Sequence, residues 1–501
     1  MKKILFTVLM LWVFTACKKE ELSITPISSG TTENFYQTEN DFVQASNAMY
    51  NSLRTYPDRL INLSETRSDN LYAASVLITQ PYDPINAFRT DIVSSNYILA
   101  AWNENFNSIF RANFLLEKLE QNKDVIKNVA LRERLIAEAR FLRAFFYFDL
   151  VRYFGKVPLT TKTVTPLEAE SIPRSPVAEV YKVIIEDLQY AISVLPPSYQ
   201  TTNVGRATKY AAQSLLALVY MTRSGPTYGI EGPGLGLNEW NLALPLLNDV
   251  IGSGQFAVNS SYANIFSHTN QNPATNKEAV FSVMYISGLN PVLGASFVSL
   301  TVPDAYFTSV LGKPAQLGGA GRPTSYDLYN SYENADVRKT FNYIQHYSPL
   351  GIPGNRPFVK KYLDATKVPI LINDWAINFI AIRFTDVMLM KAECILKGAP
   401  GTQTDVDAIV NQIRLRSNAS ALTNVTIDQL YEERRREFSG EGSRWFDLQR
   451  SGNLVTTMNN WITTYDELKQ IQPVVANWII YPVPQSQMDV KPGLYQQNLG
   501  Y

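Results

Sequence analysis

The stretch AEARFLRAFFYFDLVRYFGKVPL, Ala137 to Leu159, puts aromatic or aliphatic residues on nearly every side of a helix. An amphipathic surface helix keeps a polar stripe. Here Phe141, Leu142, Phe145, Phe146, Phe148, Leu150 and Tyr153 leave only Glu138, Arg140, Arg143, Asp149 and Arg152 for water or buried pairing. Such a helix needs neighbours on at least two sides. Helical periodicity also runs through NYILAAWNENFNSIFRANFLLEKLEQ just before it, and the pair predicts a long helical hairpin ending at Gly155, with Pro158 just beyond.

The device recurs. SPVAEVYKVIIEDLQYAISVL precedes ATKYAAQSLLALVYMTRSG, where Ala207, Ala211, Ala212 and Ala217 let backbones approach closely, and LNEWNLALPLLNDVIGSGQF adds a helix stopped at Gly252 and Gly254. Downstream, INFIAIRFTDVMLMKAECILKGA pairs with TDVDAIVNQIRLRSN, again at tetratricopeptide size. In a stack of hairpins each inner helix is covered by its partner and by the next unit, which accounts for apolar residues all round. A first helix is predicted near Asn40–Leu53, capped by Thr38 with Asp41. Between Tyr56 and Asn96, Pro57, Pro81 and Pro84 interrupt a segment without sustained period, predicted as a long functional loop. From Phe256 to Pro369, short alternating runs (EAVFSVMYI, RPFVKKYLD) lie between Gly- and Pro-rich connections. The fold class is therefore mainly α: a tetratricopeptide-like helical hairpin scaffold with an irregular, loop-rich lobe containing short strands. The expected divisions are 36–255, 256–370 and 371–501.

Lys plus Arg equals Asp plus Glu at 45 each, which removes the broad basic surface that nucleic acid requires. Two histidines, His268 and His346, stand without a ligand partner at metal spacing, so no metal and no cofactor is expected. The opening MKKILFTVLMLWVFTAC has two lysines, an apolar run too short to span a bilayer, and small residues before a cysteine. This is signal-peptide anatomy over 1–16. Its ending resembles a bacterial lipobox, with Phe14 where Leu is usual, and implies lipidation of Cys17 ahead of a polar tether over 17–35. The bland alternative is an ordinary cleaved signal with a chance cysteine.

Several segments in order then carry a likeness. The Ala137–Leu159 helix, WNENFNSIFRANFLL before it, FTDVMLMKAECIL with NQIRLRSN, RRREFSGEGSRWFDLQRSG and the ending IIYPVPQSQMDVKPGLYQQNLGY resemble the SusD/RagB family of outer-membrane nutrient-binding lipoproteins. Gln487 and Leu499 depart from the family's usual Glu and Pro. The resemblance implies a surface-exposed lipoprotein of the cell outer membrane. It would capture an oligosaccharide, or in some members a peptide, and pass it without covalent chemistry to a SusC-like TonB-dependent barrel.

Glu437 and Glu441 suggest a glycosidase acid and base, but proximity in sequence supplies no cleft. The arginines of the same segment each have a carboxylate nearby, which points to internal pairing. Gly232, Gly234 and Gly236 lack the strand and the Lys-Ser/Thr pair of a phosphate loop. Sugar recognition combines aromatic platforms with planar polar groups, and the unpatterned segments supply both. Candidate ligand-binding residues are Asp69, Asn70, Tyr72, Tyr82 and Arg89, joined from the irregular lobe by Tyr306 and Tyr326. The rivals are a secreted glycoside hydrolase and a protein-docking scaffold. Trp102 is expected in the core.

Overall fold

A computed structural model of the chain describes residues 35–72, 79–314, 321–345, 347 and 355–501. Cys17 with the leader, and His346, lie outside them. Helix α1 (Glu39–Asn51) starts where Thr38 accepts from the Asp41 backbone while the Asp41 carboxylate accepts from the Thr38 backbone, a reciprocal cap. The hairpin of α2 (Asn96–Gln121) and α3 (Val129–Phe154) follows. Asn128 caps α3, and Gly155 (φ +66) ends it against the Glu231 carbonyl, which a Cβ there would meet at 2.2 Å. Three more helices stack in sequence: α4 (Val177–Val194), α5 (Lys209–Ser224) and α6 (Trp240–Gly252).

Helix α3 is buried without interruption from Ala139 to Phe154 except at Arg140. It packs on α1 and α2 on one side and α4 on the other. Burying each phenylalanine of this helix contributes roughly 1.5–3 kcal/mol, which holds the stack together. Trp102 of α2 is buried against Phe154, edge-on at 5.1 Å.

The array is interrupted after α6 and then resumes. Helix α7 (Phe384–Leu396) packs on α6, and α8 (Gln403–Arg416) packs on α7. Helices α9 (Ile427–Glu437), α10 (Arg444–Ser451) and α11 (Leu454–Tyr465) complete the scaffold. The described residues between them form short helices and small two-stranded pieces. Of these, β1 (Ala279–Val283) pairs antiparallel with β2 (Phe379–Arg383), with a register irregularity near Phe281.

Two sequence expectations need correction. The run INFIAIR does not open a helix: Phe379–Arg383 is strand β2, and α7 begins at Phe384. Its closely spaced aromatic and β-branched residues pack against β1, where pleated geometry suits them. Nor is Tyr56–Glu65 a loop. It is a short α-turn, with Pro57 in its first turn, running into a π-helix over Leu60–Glu65 whose six residues are all buried. A segment covered on every side has no polar stripe, so it shows no period.

The arginine-rich segment is interior. Arg434 grips Asp447 through Nε and Nη2 at 3.0 Å each, and Arg450 grips Glu393 at 2.6 and 2.8 Å. Glu437 accepts from Arg416 (2.6 Å), Arg383 (3.0 Å) and Arg338 (3.0 Å); Glu441 accepts from Lys361 and Arg383, both at 2.8 Å. Burial opposes ionisation of Glu437, but these cations outweigh it and hold its carboxyl well below the usual range. At Gly440 and Gly442, both with positive φ, the backbone N–H groups donate to Glu65 at 2.7 and 3.1 Å, joining the loop to the π-helix.

Candidate functional site

Three extended segments, 70–72, 321–325 and 355–359, lie side by side. Tyr72 N–H donates to the Pro323 carbonyl (2.9 Å), Ser325 N–H to the Asn70 carbonyl (2.9 Å) and Thr324 N–H to the Pro357 carbonyl (2.8 Å). The bridges Leu71 to Thr324 and Pro323 to Phe358 are both antiparallel. This ribbon gathers candidates that are scattered in the sequence.

Of the sequence candidates, Asp69, Asn70, Tyr72 and Tyr82 are buried in the ribbon's support, where their polar atoms are held by internal partners. Asp69 is 1% exposed and chelated by Arg444, and Asn70 bridges Glu65 and Arg435. Burial alone would raise the Asp69 carboxyl, yet Arg435 and Arg444 pull it down to about 2. The Tyr72 hydroxyl donates to Asp466 (2.8 Å) and accepts from Leu468 N–H (3.0 Å). The Tyr82 hydroxyl donates to the Gly321 carbonyl, and the Arg322 guanidinium lies 4.3 Å over its ring. Polar side chains so engaged stiffen the site from behind.

The other three candidates keep accessible surface. Tyr326 is half-buried and stacks on Arg356, which is sandwiched between its ring (4.3 Å) and that of Tyr72 (4.2 Å) and pairs with Glu467 at 2.9 Å. Tyr306 is half-buried in the short helix Asp304–Ser309 and stands edge-on to Tyr347 at 5.2 Å. That helix is tied to the ribbon because Pro303 abuts Gly321, where a Cβ would come within 2.7 Å of the Pro303 nitrogen. Arg89 is exposed and forms a two-point pair with Asp91.

Between Tyr82 and the start of α2 the surface opens into a cleft of about 390 Å³ lined by Pro81, Pro84, Asp91, Ser94, Ser95 and Tyr97, with Ile92 and Asn96. Proline and tyrosine rings offer flat apolar faces; the serines, Asn96 and Asp91 offer hydrogen-bonding groups. Burial pushes the neighbouring Asp83 carboxyl up to about 6, although the Gln80 N–H donates to it at 2.6 Å. Of the sequence candidates, Arg89 lies beside this cleft through its pair with Asp91, whereas Asp91, Ser94, Ser95 and Tyr97 are not among them. The available signal was Ser95 as the residue before α2, a helix start beside a segment without period. Nothing in the sequence marked Arg322 or Arg356, whose role depends on the ribbon.

Glu437 and Glu441 are buried in the ion network described above and lie outside the Pro81–Tyr97 cleft; Glu441 borders a separate cavity of about 80 Å³ beside Arg383 and Arg434. His268 hydrogen-bonds through Nε2 to the Tyr362 carbonyl at 3.1 Å. Gly234 packs on the backbone of Gly225 and Pro226, so its glycine serves a close chain crossing.

A family model described as starch-binding associating with outer membrane matches residues 30–221, and one described as SusD family matches 353–501. A SusD-like protein of Bacteroides ovatus is 25% identical over 462 residues, covering 87% of this chain and 80% of that one. Among solved structures, surface glycan-binding protein A from Bacteroides thetaiotaomicron, in complex with laminarihexaose, superposes with a TM-score of 0.77 at 21% identity, covering 92% of this chain and 99% of that one. A laminarin-binding SusD-like protein gives 0.76 at 24%, with coverages of 93% and 100%.

Proposed function

Because the chain belongs to the SusD/RagB family, we propose that it captures an oligosaccharide non-covalently at the face formed by the Pro81–Tyr97 cleft and the accessible tyrosines Tyr306 and Tyr326. The observation that carries this reading is the cleft itself: apolar ring faces and hydrogen-bonding groups line one concavity, backed by side chains already locked by internal partners. The laminarihexaose complex of a structure with the same fold supports the glycan class. Capture without chemistry is supported by the state of Glu437 and Glu441, whose carboxylate oxygens are taken up by arginine and lysine rather than held ready as an acid and a base.

On this reading Cys17 carries the lipid that holds the protein at the outer-membrane surface, and the ligand passes to a SusC-like TonB-dependent barrel. Calorimetric titration with laminarihexaose tests the capture step. Saturable heat without release of reducing ends is the expected result; release of shorter products, or no heat with any of a panel of oligosaccharides, overturns it. Mass spectrometry of the membrane-extracted protein tests acylation at Cys17, and co-purification of a large barrel from detergent extracts tests the transfer partner.

A further inference from the structure

The irregular lobe carries a second concavity that shares no lining residue with the first. It measures about 600 Å³ and lies between the turn entering the short helix Tyr262–Ile265, the helix Val337–Asn342 and Lys360. That size is within the roughly 300–1,000 Å³ of small-molecule sites. The half-buried Phe341 ring forms one wall, held edge-on by Tyr262 at 5.6 Å. Ser260, Ser261 and Thr340 line it as well; the Ser261 hydroxyl accepts from Asn264 N–H at 3.4 Å and the Thr340 hydroxyl donates to the Val337 carbonyl at 3.1 Å, which leaves the first free to donate and the second free to accept.

The charge of this cleft is unbalanced. Lys360 N–H donates to the Asn342 carbonyl at 2.7 Å, which fixes the backbone, but among the described residues its half-buried ammonium has neither an ion-pair nor a hydrogen-bond partner. Partial burial without a counter-ion lowers its pKa. Arg416, its side chain 3% exposed, also lines the cleft, and its Nε has no hydrogen-bond partner. The surrounding carboxylates are already paired and leave Lys360 without one: Glu278 and Glu437 with Arg416 at 3.2 and 2.6 Å, Asp336 with Arg338 at 2.7 Å, and Asp364 with Thr366 at 2.7 Å.

The geometry points to a second binding site here for a carboxylate-bearing sugar unit such as a uronate. Lys360 takes the carboxylate, Phe341 takes the apolar ring face, and the three hydroxyls meet those of the sugar. An unpaired ammonium beside an aromatic wall favours an anion carried on a flat apolar body, and the hydroxyl rim favours a sugar over an acidic peptide.

The test is calorimetric titration of the detergent-purified full-length protein with tri-galacturonate, maltotriose and a tri-aspartate peptide. Tri-galacturonate is expected to bind, with affinity falling about tenfold in K360M and recovering in K360R, as for the loss of one charge-assisted contact. F341A also weakens it, and Tyr97→Ala, at the other cleft, leaves it unchanged. Equal melting temperatures for wild type and K360M show that folding is not the cause. The proposal is overturned if tri-galacturonate does not bind, if K360M binds it as wild type does, if maltotriose suffers the same loss in K360M, or if tri-aspartate binds as tightly as tri-galacturonate.

Discussion

Asp69 and Arg444, 375 positions apart, meet as a buried two-point pair: Nε donates to Oδ1 and Nη2 to Oδ2, each at 2.8 Å. Arg435 adds a third contact to the same carboxylate at 3.2 Å. This pair fastens the N-terminal half of the chain, just before the ribbon, to the C-terminal arginine segment. The candidate binding face is therefore built on both halves of the sequence.

Removing one partner leaves two buried guanidinium groups short of a counter-charge. Asp69→Ala is expected to lose about 3–5 kcal/mol in urea denaturation. The pH dependence follows from the sign of the shift. The folded carboxyl titrates at about 2, below its ordinary 3.8, so its contribution is complete above pH 3.8 and is lost as pH falls toward 2. The wild type should show this acid limb and the variant a shallower one.

Tyr97 and Tyr72 separate contact from support. Tyr97→Ala should weaken laminarihexaose binding by about tenfold, the scale of one lost aromatic contact. Tyr72→Phe removes the hydroxyl held by Asp466 and Leu468 and should cost roughly 1–3 kcal/mol of stability. Calorimetry and melting curves on both variants check the division; a binding defect confined to Tyr72→Phe would reverse it.

Gly442 has φ +78, and a Cβ there would sit 2.5 Å from Leu60 Cβ on the π-helix. Gly442→Ala is expected to destabilise by about 1–3 kcal/mol from the backbone conformation alone. Gly252, the last residue of α6, has nothing within 4 Å of that position, and Gly252→Ala should leave stability unchanged or raise it slightly. Paired denaturation curves measure the contrast.

Burial pushes the Asp58 carboxyl up to about 6 despite the hydrogen bond donated by the Ser296 hydroxyl at 2.6 Å. Between 3.8 and about 6 the folded protein keeps a proton that the unfolded chain has released, so this group makes stability fall as pH rises through that window. Asp58→Asn should flatten that limb. Melting temperatures at pH 4.5 and 7.5 are expected to favour the variant more at the higher pH.

The helical stack was legible because its signal is local. Thr38 and Asp41 form the cap their spacing predicts, Gly155 stops α3 where the pattern breaks, and the absence of a polar stripe in Phe141–Tyr153 translates directly into neighbours on both sides. The same logic misread Tyr56–Glu65, since a π-helix buried all round and an irregular loop both lack a period. It gave no hint that Asp69, Asn70 and Tyr72 are buried, because their polar composition is the same whether their partners are water, ligand or a distant arginine.

By itself, then, the order of residues determined where helices start, stop and must be covered, because capping and apolar spacing act over a few positions. Which polar side chains face outward was decided only by the tertiary structure. Arg444 reaching Asp69, Arg322 lying over Tyr82 and Arg356 between Tyr72 and Tyr326 are meetings across the chain. They assign some tyrosines and carboxylates to internal support and leave Tyr97, Tyr306 and Tyr326 with surface to offer.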